Sequence, residues 1–192
     1  MEKNTETDIG SSLREVTKRA LPTLDVGPAL TGDIKAIKEL SEKWRDVWQN
    51  LGFMCITNHG ISDELIFEME EAAKRFHDLP HKVKMKISIN SHMKGYTPAH
   101  ASVATKSRFH KNRKLDTVEC LIVATDFDDD NPHVSSGEQF YGKMPWLAED
   151  IIPGFRSTCE KYMKEVTELG KKLLPVWALS LNLKHDYFDP FF

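Results

Sequence analysis

Cysteine is scarce in this 192-residue chain: Cys55, Cys120 and Cys159 are an odd number, far apart, with no Cys-x-x-Cys spacing. That excludes a disulfide framework and a thiolate zinc site, and it suits a reducing compartment. Long apolar runs are missing too, and the opening MEKNTETDIGSSL lacks the basic-then-apolar order of a secretory signal. Nor is there a large excess of either charge. A formal net charge of -3 gives no global attraction to nucleic acid or anionic lipid. The expectation is a cytoplasmic chain with neither a nucleic-acid nor a membrane partner.

Several reactive arrangements are absent as well. None of the eight histidines is followed two residues later by Asp or Glu, so the commonest form of a two-His-one-carboxylate iron site does not occur. There is no His-Glu-x-x-His, no Gly-rich phosphate loop and no Gly-x-Ser-x-Gly elbow. Asp126, Asp128 and Asp130 open like a calcium loop, but Asn131 replaces the turning glycine and Gly137 the bidentate glutamate. A solvated acidic loop is the expectation there. No metal ligand and no catalytic residue is assigned.

What is present suffices for a core: 40% hydrophobic and 29% charged residues make one globular domain or part of a larger one. Residues 1–20 read as a flexible leader. Leu21 to Val26 then reads as a short strand with Pro22 at its entrance. From Asp33, Ile34, Ile37, Trp44, Val47, Trp48 and Leu51 recur at helical spacing, with Gly52 placed as a left-handed stop. Phe53 to Thr57 follows as a buried strand. His59, between Asn58 and Gly60, is read as the strand exit, its ring satisfying backbone groups; a general base or a lone ligand is the alternative.

Ser62 looks like the cap of a second helix, with Leu65, Ile66, Met69, Ala72, Ala73 and Phe76 on one face. Leu79-Pro80 ends it, and Pro80 starts a short basic turn from His81 to Lys86. Residues 88–114 are polar and read as mostly irregular, a length unusual for a loop without a task. Within them Lys106 to Lys114 carries five cations and could bind an anion, although a solvated loop is the simpler reading. Glu119 to Thr125 is the next strand. The clearest helix spans about Pro153 to Leu181, with Phe155, Cys159, Tyr162, Val166, Leu169, Leu173 and Trp177 facing one way and Pro175 kinking it.

Five stretches, in order, carry a resemblance: Leu21-Pro22-Thr23-Leu24-Asp25-Val26; Trp44 to Gly60, WRDVWQNLGFMCITNHG; Phe76-His-Asp-Leu-Pro80 with Lys84; Gly95-Tyr96; and Asp116-Thr-Val-Glu119. Together they resemble the N-terminal region of the isopenicillin N synthase-like Fe(II)/2-oxoglutarate-dependent oxygenases. The resemblance implies an α+β fold, the N-terminal helical and strand part of a double-stranded β-helix (jelly-roll) oxygenase, with a long kinked scaffold helix near the C-terminus. It implies residues 21–125 as the non-haem dioxygenase N-terminal region and 126–192 as a loop plus that helix, the catalytic β-helix being mostly absent.

In that family the iron ligands, His-x-Asp and a distant His, and the arginine that grips 2-oxoglutarate lie further along. Fe(II) and 2-oxoglutarate are therefore expected of a full-length member and not of this chain alone. Its substrate would be a small organic molecule to be oxidised, and Gly95 and Tyr96 would lie near the mouth of that site. The rival reading is a catalytically dead stand-alone module that binds a partner protein or an anion. Exposure of the apolar face between Phe155 and Leu181 would mark a missing cover. A metal-independent enzyme using residues 92–110 finds no support in the spacing.

Overall fold

A computed structural model describes residues 21–101 and 115–191; the leader 1–20 and the basic stretch from Lys106 to Lys114 lie outside the described residues. The chain divides into two compact units. One takes the described residues up to Gly60 and those from Thr167 onward, the other Ile61–Val166.

In the first unit, β1 (Thr23–Asp25) pairs in parallel with β2 (Cys55–Thr57), Leu24 lying opposite Ile56. Between them come a short α1 (Gly27–Leu30), with Pro28 in its first turn, and α2 (Ile34–Asn50). Asp33 caps α2 by accepting from the Lys35 amide at 2.9 Å. The expected stop is there: Gly52 has φ 87 and donates to the Val47 carbonyl.

Two expectations need correction. The strands are shorter than Leu21–Val26 and Phe53–Thr57, and the second is not buried: Phe53 is 55% exposed, and Cys55 and Thr57 face outward. Alternation explains this, because Leu24 on one strand and Met54 and Ile56 on the other pack against the cluster of Val26, Ala29, Ile37, Leu40, Trp44, Leu173 and Val176, while the residues between them face away. On α2 the buried stripe is Ile37, Leu40, Ser41, Trp44 and Val47, while Ile34 and Trp48 lie at its margin and are exposed. Trp48 still rests on Trp177, with ring centroids 5.0 Å apart.

The second unit begins with α3 (Asp63–His77), whose Ser62 cap accepts from the Leu65 amide at 3.2 Å. Asp63 and Glu64 sit at the positive end of the helix dipole, and Leu65, Ala72 and Phe76 are buried. Ser62→Ala is expected to cost about 1 kcal/mol in urea denaturation. A loss indistinguishable from zero would mean that the two acidic residues hold this end without the cap.

After α4 (His81–Lys84) and a 3-10 turn, Met85–Ile87, the chain forms β3 (Gly95–Thr97), antiparallel to β4 (Cys120–Ile122). The segment expected to be mostly irregular therefore holds a strand. Lys94, just before it, is fully buried: its ammonium donates to the carbonyls of Thr125, at 2.5 Å, and Gly142, at 2.7 Å, and lies over the Phe127 ring. Burial lowers its pKa from the usual lysine value.

The acidic run is not wholly solvated. Asp126 accepts from the Met144 amide, the Trp146 indole and Arg156, because the chain reverses and brings residues 142–146 back beside it. Asn131 caps the short α5 (Pro132–Ser135).

The last helix, α6 (Phe155–Ser180), carries Pro175 inside it. Its first turns place Phe155 and Cys159 with Ala72, Phe76, Ile87, Tyr96, Leu147 and Ile152, the core of the second unit. Its last turns give Leu173 and Val176 to the core of the first. Between them the apolar stripe surfaces: Val166 is 39% exposed. The helix ends with Asn182 at φ 61, the Asn182 amide bonded to the Leu179 carbonyl and the Leu183 amide to the Ala178 carbonyl, a Schellman closure. Among the described residues, no helix is long and apolar enough to cross a membrane.

Candidate functional site

One carboxylate in the second unit gathers residues from four segments. Glu119, immediately before β4, receives Lys84 Nζ at 2.9 and 3.0 Å on its two oxygens. His77 Nδ1 meets its Oε1 at 2.7 Å, and the Tyr96 hydroxyl donates to its Oε2. The local structure explains each approach. His77 is the last residue of α3, Lys84 the last of α4, and Tyr96 the middle of β3, where it pairs with Leu121 beside Glu119. Lys84 also donates to the His77 carbonyl at 2.8 Å, tying the end of α3 to α4.

The electrostatics follow from these contacts. Hydrogen bonds from Tyr96, His77 and Lys84 pull Glu119 from its usual value down to about 2. Burial first, then the bond to Glu119, pushes Tyr96 up to about 12. Near neutral pH the carboxylate is ionised and the phenol neutral, and an ionised partner makes His77 Nδ1 the donor. The carboxylate and the phenol therefore hold structure and do not exchange protons near neutrality.

Gly95 is buried with φ 116, and a Cβ there would lie 2.6 Å from the Ile87 carbonyl oxygen. Tyr96 is fully buried, stacked edge-on against Phe76. His59 sits at the exit of β2 between left-handed Asn58 and Gly60. The structure brings Lys84, Tyr96 and Glu119 together; His59 belongs to the other unit, and the segment 92–110 lies outside the described residues from 102 onward. Sequence reasoning missed the tie from His77 to Glu119, because the two are 42 residues apart and no spacing rule spans that gap.

A model of the non-haem dioxygenase in morphine synthesis N-terminal family matches residues 21–149. The chain belongs to that family. Azadirone synthase LFS of Melia azedarach is 33% identical over 152 residues, covering 79% of this chain and 44% of the relative. The 2-oxoglutarate-Fe(II) type oxidoreductase hxnY of Emericella nidulans is 32% identical over 89% of this chain and 48% of its own length. Isopenicillin N synthase of Streptomyces griseus is 26% identical over 88% and 50%. Full-length T7H of Neurospora crassa, solved in complex with alpha-KG, superimposes with a TM-score of 0.69 at 21% identity, over 89% of this chain and 50% of that one. That last likeness is one of fold. The mixed architecture, two small sheets and a long helix, is that of the N-terminal portion of these oxygenases, and the chain spans about half the length of the curated relatives it matches.

The residues present do not fit the iron that the family implies. Among the described residues, no three His, Cys, Asp or Glu side chains are grouped to hold a metal ion. The pair Glu119 and His77 would face a third partner that repels a cation, since the Lys84 ammonium, 6% exposed, already occupies both carboxylate oxygens.

Proposed function

We propose that this chain serves as the N-terminal part of an Fe(II)/2-oxoglutarate-dependent oxygenase that oxidises a small organic substrate in the cytoplasm. The iron and 2-oxoglutarate would be held by a β-helix region that the described residues do not contain. The family match over residues 21–149 carries this reading. The chain's own contribution is rigidity: Glu119 fixes Tyr96, His77 and Lys84 in one position, and so fixes the Gly95–Tyr96 strand that would border the substrate. Residues 21–125 form the N-terminal region in this scheme, and residues 126–192 the loop and scaffold helix.

The test compares the isolated 192-residue chain with the endogenous product captured by an antibody to residues 21–90, each given Fe(II) and labelled 2-oxoglutarate. The isolated chain should release no more labelled carbon dioxide than a protein-free blank, and a captured product well above 22.0 kDa should release it steadily. Turnover by the isolated chain would sink the division of labour. An inactive captured product of 22.0 kDa would sink the oxygenase reading. In an active captured product, Tyr96→Phe is expected to change KM several-fold, roughly 1 kcal/mol, through a shifted strand; unchanged kinetics would remove Gly95 and Tyr96 from the substrate's surroundings.

A further inference from the structure

A cavity of about 330 Å³ lies in the first unit between α2 and the end of α6, with Lys38, Glu42 and Arg45 on one side and Leu179, Asn182 and Leu183 on the other. Its size is that of a small-ligand cleft. Arg45 is held in one rotamer: Nε donates to the Ser180 carbonyl at 2.6 Å, and Nη2 to the Leu179 carbonyl at 2.9 Å and to Asn182 Oδ1 at 2.6 Å. Those bonds use Nε–H and the Nη2 hydrogens; the Nη1 donors have no partner among the described residues. Lys38 and Glu42 stand one helical turn apart, both exposed, and neither forms an ion pair with a described residue. The cavity thus offers a pre-set guanidinium edge and an ammonium beside a leucine wall, with one carboxylate at the rim.

We propose that this cavity binds a small aliphatic monocarboxylate, its carboxylate on Arg45 Nη1 and Lys38 and its chain against Leu179 and Leu183. A charge-assisted pair of donors suits a carboxylate, and the leucines suit a short hydrocarbon body. Glu42 makes the site selective, because a second carboxylate on the ligand would approach a like charge. This binding does not depend on the oxygenase reading, since every group involved lies in the described chain.

The test is a titration of the isotope-labelled 192-residue chain with hexanoate, followed by amide chemical shifts, with hexanol and adipate as controls. Hexanoate should shift amides of α2 and the end of α6 saturably, hexanol should not, and adipate should bind more weakly. Lys38→Glu should weaken hexanoate at least about tenfold with the circular dichroism unchanged. Glu42→Gln should narrow the gap between adipate and hexanoate. Equal affinity for hexanol, unchanged affinity in Lys38→Glu, or no saturable shift would each overturn the proposal.

Discussion

Glu119→Ala is expected to destabilise the second unit by about 3–5 kcal/mol, the range for removing one partner of a buried charge pair. The carboxylate itself is partly exposed, but what it leaves behind is not. Among the described residues Lys84, 6% exposed, would keep only the His77 carbonyl as a hydrogen-bond acceptor, beside the face of Tyr96, and the fully buried Tyr96 hydroxyl would lose its acceptor. Urea denaturation of the wild-type chain and the variant measures the loss; under about 1 kcal/mol would show that water replaces the carboxylate at no great cost. The companion variant Lys84→Met with Glu119→Gln removes both charges and should recover part of the stability.

The same carboxylate sets an acid limit. Its folded pKa, about 2, is depressed from the usual 4.5, so its contribution is complete above the unfolded value and is lost as pH falls from about 4.5 toward 2. Allowing for water around a group that is nearly a third exposed, that contribution is about 1–2 kcal/mol. Glu119→Gln should flatten the acid limb of a stability-against-pH curve. Superimposable limbs in wild type and variant would place the acid sensitivity elsewhere.

Gly95→Ala is expected to cost about 3 kcal/mol or more, through backbone geometry rather than lost contacts. With φ 116, the position disfavours any L side chain, and the new Cβ would sit 2.6 Å from the Ile87 oxygen and 2.9 Å from that of Ser88. Those carbonyls have little freedom to retreat, since the Ile89 amide is bonded to the Tyr96 carbonyl at 2.9 Å and Ser88 bridges to Tyr96. Gly32→Ala separates the two penalties: its φ is 84, yet nothing lies within 4 Å of a Cβ. There only the conformational cost, about 1 kcal/mol, should appear in thermal melts. Equal losses at both positions would remove the close approach from the account.

Local signals in the sequence survived folding well. Ser62 caps as its position before Asp63 and Glu64 suggests, Gly52 takes the left-handed conformation, and the apolar stripe of α2 needed only its edges redrawn from Ile34 and Trp48 to Leu40 and Ser41. What was not legible is long-range. Arg45 reaches carbonyls 134 and 135 residues away, and Glu119 finds Lys84 at a separation of 35. Neither residue type announces its partner, because a lone Arg or Glu fits a solvated surface equally well. The expected burial of the second strand failed for a related reason: Cys55 and Thr57 occupy alternate positions of a two-stranded ribbon, and a short apolar run does not say whether both faces are covered.

Lys94 gives the acidic loop a particular independence. The carbonyls of Thr125 and Gly142, at the two mouths of that loop, converge on its ammonium, with the face of Phe127 against the same charge. Proteins commonly close loops of this composition on a dissolved cation, and then inherit a dependence on its concentration. Here the cation is covalently part of the chain, carried by the residue just before the strand that holds Tyr96, so joining the two mouths of the loop needs no dissolved ion and happens in the act of folding.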